Sequence, residues 1–174
     1  MAGEEAWFAS VPRVRTARLL LREPRLADFE AFAANAADPL ACAHLGGRID
    51  RRDAWRRFHS AAGGWVVQGM GWWTVEAPNL GSVGTVGVFR RENSDDAEIG
   101  WIIHREWWGL GYASEAAGAA LNHATVVWQI DRVIAHIAEA NTASIGVARK
   151  IGMRCEGASD FYGDPDLLYS FTKV

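Results

Sequence analysis

The sequence predicts the α+β class, with an antiparallel strand meander first and a strand–helix–strand–helix–strand half after it. Three observations carry that expectation. From Trp72 to Ile103, short apolar runs alternate with Gly-, Pro- and Asn-containing turns, as in hairpin-connected strands. From Ala113, apolar residues recur at offsets 3, 4, 7, 8, 11, 14 and 15, the spacing of one buried helix face. Between that helix and a later one led by Asn141 lies Arg132–Ala138, a strand with Val133, Ala135 and Ile137 alternating.

The elements follow in order. Arg18-Leu-Leu-Leu-Arg22 reads as a short strand with charged ends. Asp28 is placed to cap a helix whose Phe29, Phe32, Ala33 and Ala36 share a face, and Asp38-Pro39 stops it. Asp50, with Asp53 three residues on, opens a second helix carrying Ala54, Trp55, Phe58 and Ala62. Trp65–Val67 and Trp72–Glu76 read as two strands joined by a Gly-rich turn, with Pro78-Asn79 as the next turn. Ser82–Phe89 and Ala97–Ile103 are strands around a polar loop at Asn93–Asp96. After the long helix and Arg132–Ala138, Asn141 caps a helix with Ile145, Ala148 and Ile151 inward, and Gly152 suits the left-handed residue at its end. Leu167–Lys173 is the last strand.

Composition narrows the function classes. The 174 residues point to one domain, 1–174, and 49% apolar content suffices for a core. The formal charge of −3 gives no global basic field, so duplex nucleic acid is not an expected partner. Arg48, Arg51, Arg52, Arg56 and Arg57 are interleaved with Asp50 and Asp53 and read as a solvated helix face. Two distant cysteines, Cys42 and Cys155, fit a reducing cytoplasmic setting, and both read as inert small apolar residues. The first fifteen residues lack an apolar signal core, no run is long enough to span a membrane, and the five histidines have no metal-ligand spacing. Nine tryptophans imply wide indole layers in the core, some of which could line a ligand channel.

Gly109-Leu-Gly-Tyr-Ala-Ser114 joins a strand to the long helix. The first amides of a helix have no internal partner and sit at the positive end of its dipole. Glycines there let the backbone approach a bulky anion, which makes the turn a pyrophosphate cradle. A Walker loop is excluded because no Gly-Lys-Ser/Thr follows. A dinucleotide fingerprint lacks its third glycine, since position 114 is Ser, although Glu139 stands where a ribose-binding acid could. A plain tight turn is the remaining bland reading.

The stretch Glu98-Ile-Gly-Trp-Ile-Ile-His-Arg-Glu-Trp-Trp-Gly-Leu-Gly-Tyr-Ala-Ser-Glu-Ala, continuing through Ala117, resembles the coenzyme A segment of the GNAT acetyltransferase superfamily, as does Asn141-Thr-Ala-Ser-Ile-Gly-Val-Ala-Arg-Lys-Ile-Gly-Met153. Both, with Thr16-Ala-Arg-Leu-Leu-Leu-Arg22, are similar to the branch containing the ribosomal-protein alanine N-acetyltransferases RimJ and RimL. The resemblance implies a mixed, mostly antiparallel sheet of about seven strands, splayed at its centre and flanked by about four helices. It implies acetyl-CoA as co-substrate. The amides of Gly109, Leu110, Gly111, Tyr112 and Ala113, with Trp108 and Ser114, would hold its pyrophosphate. The backbone of Ile102 and Ile103 would pair with its pantetheine arm. Three positions depart from the superfamily pattern: Trp108 stands where Gln or Arg is usual, Gly146 where many relatives have Arg, and Met153 where Phe is usual.

Aminolysis of a thioester needs a neutral amine, a polarised carbonyl and a path for protons. The resemblance makes Glu98 the candidate base, acting through water; the alternative is a solvated carboxylate after an acidic loop. It gives Ser144 a role at the coenzyme sulfur, positioning first and proton donation second. Asn141 would cap its helix and also bond pantetheine. His44 reads as an exposed loop histidine, and Tyr162 and Asp164 could border the acceptor. The expected activity is acetyl transfer to a primary amine, either a protein N-terminus or a small molecule, by a monomer or homodimer. The competing expectation is a non-catalytic acyl-CoA-binding module.

Overall fold

The computed structural model describes residues 10–92, 94–161 and 164–173. Eight strands form one open sheet: β1 (Val14–Arg15), β2 (Leu20–Arg22), β3 (Trp72–Ala77), β4 (Gly81–Arg90), β5 (Ala97–Ile103), β6 (Arg132–Ala138), β7 (Arg154–Phe161) and β8 (Asp164–Thr172). Their order across the sheet is β1-β2-β3-β4-β5-β6-β8-β7. Every neighbouring pair is antiparallel except β5 and β6. The helices are α1 (Phe29–Ala37), α2 (Arg51–Val67), α3 (Tyr112–Asn122) and α4 (Thr142–Lys150). None of the described helices is long and apolar enough to cross a membrane.

Strand alternation divides the sheet into two working faces. Trp73, Val86, Ile99 and Val133 form one core with Ala116, Ala117 and Ala120 of α3 and Ala148 of α4. The small alanines let α3 lie close to β4 and β5. A separate cluster joins Phe29, Ala33 and Ala36 of α1 to Ala54 and Phe58 of α2. Asp50 caps α2 by accepting from the Asp53 amide at 2.8 Å. Asn141 caps α4 by accepting from the Ser144 amide at 3.1 Å. Gly152 takes the left-handed conformation expected of it, with φ at +89°.

Four local expectations are corrected. Trp65–Val67 is the end of α2, not a strand. The glycines before it do not break the helix: a Cβ on Gly64 would lie 2.9 Å from the Met70 carbonyl, so glycine serves a close approach there. Trp65 is thereby buried against Trp73, with ring centroids 4.7 Å apart. Asp28 makes no cap of α1. Its carboxylate is buried and accepts two bonds of 2.8 Å from Arg22, along with bonds from the Arg25 amide and the Thr74 hydroxyl. The third helix leaves α geometry at His123, where a π turn runs to Val127 and the Thr125 hydroxyl bonds back to the Leu121 carbonyl. Last, β7 was not anticipated; its sequence is too polar and Gly-interrupted to read as a strand, and it forms by pairing along β8.

Candidate functional site

The parallel pair β5–β6 is the opening in the sheet. Its register is confined to Ala97↔Val133 and Glu98↔Ile134. Beyond those residues β5 continues to pair with β4 as far as Ile103, and β6 with β8 as far as Ala138, but β5 and β6 no longer pair with each other. The carboxyl ends of both strands therefore border a gap. Each strand then leads into a helix, β5 into α3 and β6 into α4, so two helix N-termini open at the same end of the sheet.

The register fixes which backbone groups face the gap. The His104 amide donates to the Val83 carbonyl on β4 at 2.9 Å. Alternation then turns the polar groups of Ile102 and Gly100 toward β4, and those of Ile99, Trp101 and Ile103 toward the gap. The backbone of Ile102, expected to pair with a pantetheine arm, is thus committed to β4, whereas that of Ile103 faces the gap. The Ile103 carbonyl already accepts the Trp108 indole N–H at 2.7 Å. Trp108 is half exposed, with its one donor spent on the strand.

The glycine turn follows a short 3₁₀ turn, Arg105–Trp107. Gly109 and Gly111 have φ of +77° and +79°, which L side chains rarely adopt. Gly111 is the N-cap of α3, so the amides of Tyr112, Ala113 and Ser114 begin the helix without intrahelical acceptors. Gly109, Leu110 and Gly111 are exposed; Tyr112 to Ser114 are half-buried. Arg18 secures the turn from outside. Its guanidinium donates to the Leu110 carbonyl at 2.9 Å and to Glu115 at 2.7 Å, and lies 4.9 Å from the Tyr112 ring centroid. Glu115 also accepts from the Arg18 amide and the Thr16 hydroxyl. Burial works to raise its carboxyl, but these donors outweigh it and hold the group below its ordinary value.

On α4, the Ser144 hydroxyl is half-buried and makes no hydrogen bond among the described residues. Glu98 is buried on β5, and its two oxygens accept from Arg91 at 2.5 and 2.8 Å. His104 ends the strand, buried; burial lowers its pKa, against the opposing pull of Glu106, and keeps the ring neutral. His44 is exposed in the α1–α2 connection. Cys42 is buried and points at the carbonyls of Asn35 and Ala36, with its thiol pushed up by burial, whereas Cys155 is exposed on the edge strand β7. Tyr162 lies outside the described residues, and Asp164 begins β8. The described residues bring together no cluster of three or more metal-ligating side chains.

A cavity of about 500 Å³ opens between α1, α2 and the sheet. Thr85 and Ile102 line it, while their neighbours Val86 and Trp101 belong to the core side. Its floor is Trp72, stacked on Phe89 with centroids 5.4 Å apart. Gly87 and Gly100 make room for that ring: a Cβ on either would fall within 2.5–2.6 Å of it. Sequence reasoning missed this cavity, the Arg18 clasp and the Arg91 partner of Glu98. Glycines inside strands signal a close approach, and Gly87 and Gly100 could have been read that way; side-chain pairs far apart in sequence leave no such mark.

Comparison with known proteins agrees with this geometry. The sequence profile of the acetyltransferase (GNAT) domain matches residues 18–154. The acetyltransferase of Agrobacterium tumefaciens is 28% identical, with a TM-score of 0.85 over 98% of this chain and 100% of that one. The GNAT-family acetyltransferase of Bacillus anthracis is 25% identical, with a TM-score of 0.80 over 92% of this chain and 98% of that one. The Bacillus subtilis protein YkkB is 36% identical over 104 residues, 58% of this chain. That match spans 60% of YkkB's own length.

Proposed function

Since the chain belongs to the acetyltransferase (GNAT) domain family, we propose that it is an acetyl-CoA-dependent N-acetyltransferase that moves the acetyl group directly from the thioester to a primary amine. The observation that carries this reading is the gap between β5 and β6, which starts after Glu98↔Ile134 and ends at two helix N-termini. A flexible arm bearing amides fits a half-open strand edge, and a pyrophosphate fits a helix start behind left-handed glycines.

In this reading the pantetheine arm pairs with the gap-facing groups of Trp101 and Ile103, and the pyrophosphate takes the amides from Gly109 to Ser114. Trp108 contributes by fixing the strand end through its bond to Ile103. Asn141 holds the start of α4 so that the Ser144 hydroxyl stands at the coenzyme sulfur. The amine nitrogen attacks the thioester carbon, the C–N bond forms and the C–S bond breaks. The sulfur leaves as thiolate and takes a proton, with Ser144 positioning it. Thiolate is a fair leaving group, so no covalent enzyme intermediate is needed. Glu98 is the candidate base for the amine proton, acting through water. Its two oxygens hold about four acceptor sites in all, of which Arg91 uses two.

The motif likeness further suggests the branch of ribosomal-protein N-acetyltransferases. A second reading, an acyl-CoA-binding module without turnover, draws on the clamped Glu98 and the inward Trp108 donor. Thiol release from acetyl-CoA with a panel of amines separates the two. The transferase releases thiol in proportion to acetylated amine, whereas the module binds coenzyme and releases none.

A further inference from the structure

Among the residues lining the cavity over Trp72 there is no Asp or Glu, yet three are arginines: Arg57, Arg90 and Arg91. In a chain of formal charge −3 this is a local reversal of sign. Arg91 is neutralised by Glu98. The Arg90 guanidinium donates only to a backbone carbonyl, that of Asp95. Arg57 has no carboxylate partner among the described residues. By strand alternation the Arg90 side chain shares the face of β4 that carries Val86 and Val88, opposite the cavity-lining Thr85 and Phe89, so one guanidinium, that of Arg57, lines the cavity without a carboxylate partner among the described residues. The floor is a flat aromatic platform, built at the expense of side chains at Gly87 and Gly100. A volume of about 500 Å³ is that of a small-molecule site. Ile102, in the cavity wall, lies on β5 where that strand borders the gap.

We propose that the acceptor is a small amine bearing an aromatic ring and a carboxylate, its ring on Trp72 and its carboxylate held by Arg57. This rests on the transferase reading. It disfavours polycationic amines, which the unpaired Arg57 repels, and gives a protein N-terminus no carboxylate to place on that charge.

The test compares L-phenylalanine, phenethylamine, L-alanine, spermidine and a short peptide beginning with alanine as acceptors. A charge-assisted pairing predicts kcat/KM for L-phenylalanine about tenfold or more above phenethylamine, which lacks only the carboxylate. Arg57→Gln raises KM for L-phenylalanine and leaves phenethylamine unchanged. Calorimetric binding of L-phenylalanine to the coenzyme-loaded protein follows the same order, independently of turnover. Equal use of phenethylamine, or preference for spermidine or the peptide, overturns the proposal while leaving the transferase intact. Selective binding of L-phenylalanine with no thiol release from any amine overturns the transferase reading and keeps the carboxylate-binding pocket.

Discussion

Arg18 and Glu115, 97 residues apart in sequence, meet at 2.7 Å and tie the connection between β1 and β2 to the first turn of α3. The same guanidinium holds the Leu110 carbonyl. The glycine turn is thus held by a side chain from a distant part of the chain. Arg18→Ala should weaken acetyl-CoA binding by about tenfold, as loss of a charge-assisted hydrogen bond predicts, with kcat nearly unchanged. Calorimetric titration of the variant checks it.

The pH dependence of that clasp has a defined sign. The Glu115 carboxyl is held below its ordinary value of 4.5 in the folded protein. The stability it contributes is therefore full above that value and is lost as pH falls through the lowered native one. Denaturant unfolding of wild type and Glu115→Gln should differ at neutral pH and converge in acid. A difference that grows in acid would contradict this assignment.

Gly109 and Gly111 each adopt a positive φ. Gly111→Ala should cost about 1–2 kcal/mol from the left-handed penalty alone, or about 2–4 °C in Tm for each kcal/mol. Gly109→Ala should behave alike, since a Cβ there meets nothing within 4 Å and only the backbone resists. Thermal melts of the two variants measure both.

Glu98→Gln distinguishes two roles for one carboxylate. As the base, its loss lowers kcat by about 10²-fold or more while acetyl-CoA affinity stays constant. As a holder of Arg91 alone, its loss would raise acceptor KM and leave kcat intact. The expected outcome is the fall in kcat.

Asp28 and Arg22 form a buried pair with side chains 7% and 4% exposed. Burial pushes the Asp28 carboxyl up, but Arg22, the Arg25 amide and Thr74 outweigh it and keep it below its ordinary value. Asp28→Ala leaves Arg22 with Glu76 as its carboxylate partner, at 2.6 Å, and removes the acceptor of the Thr74 hydroxyl; it should destabilise the fold by about 1.5–3 kcal/mol in urea unfolding.

Much of this was legible from the chain. The β5 and β6 strands, the Asn141 and Asp50 caps and the left-handed Gly152 follow from periodicity and local backbone chemistry, which neighbours in sequence decide. Trp65–Val67 is a short apolar run with no period of its own, and packing of Trp65 on Trp73 accompanies its helical state. Arg22 is a charged strand end in the sequence, and its burial depends on Asp28, which a turn brings to it. The donor side of the candidate site is local, a turn and a helix start. The acceptor side is assembled from α1, α2, β3, β4 and β5, and no single stretch of sequence contains it.

The central claim is that the β5–β6 gap and the turn behind it take up acetyl-CoA. Amide hydrogen exchange, with and without saturating acetyl-CoA, tests it most directly. The account predicts slowed exchange at Trp101, Ile103 and the amides from Gly109 to Ser114, with little change along β7 and β8. Unchanged exchange at those amides, or protection confined elsewhere, would contradict it.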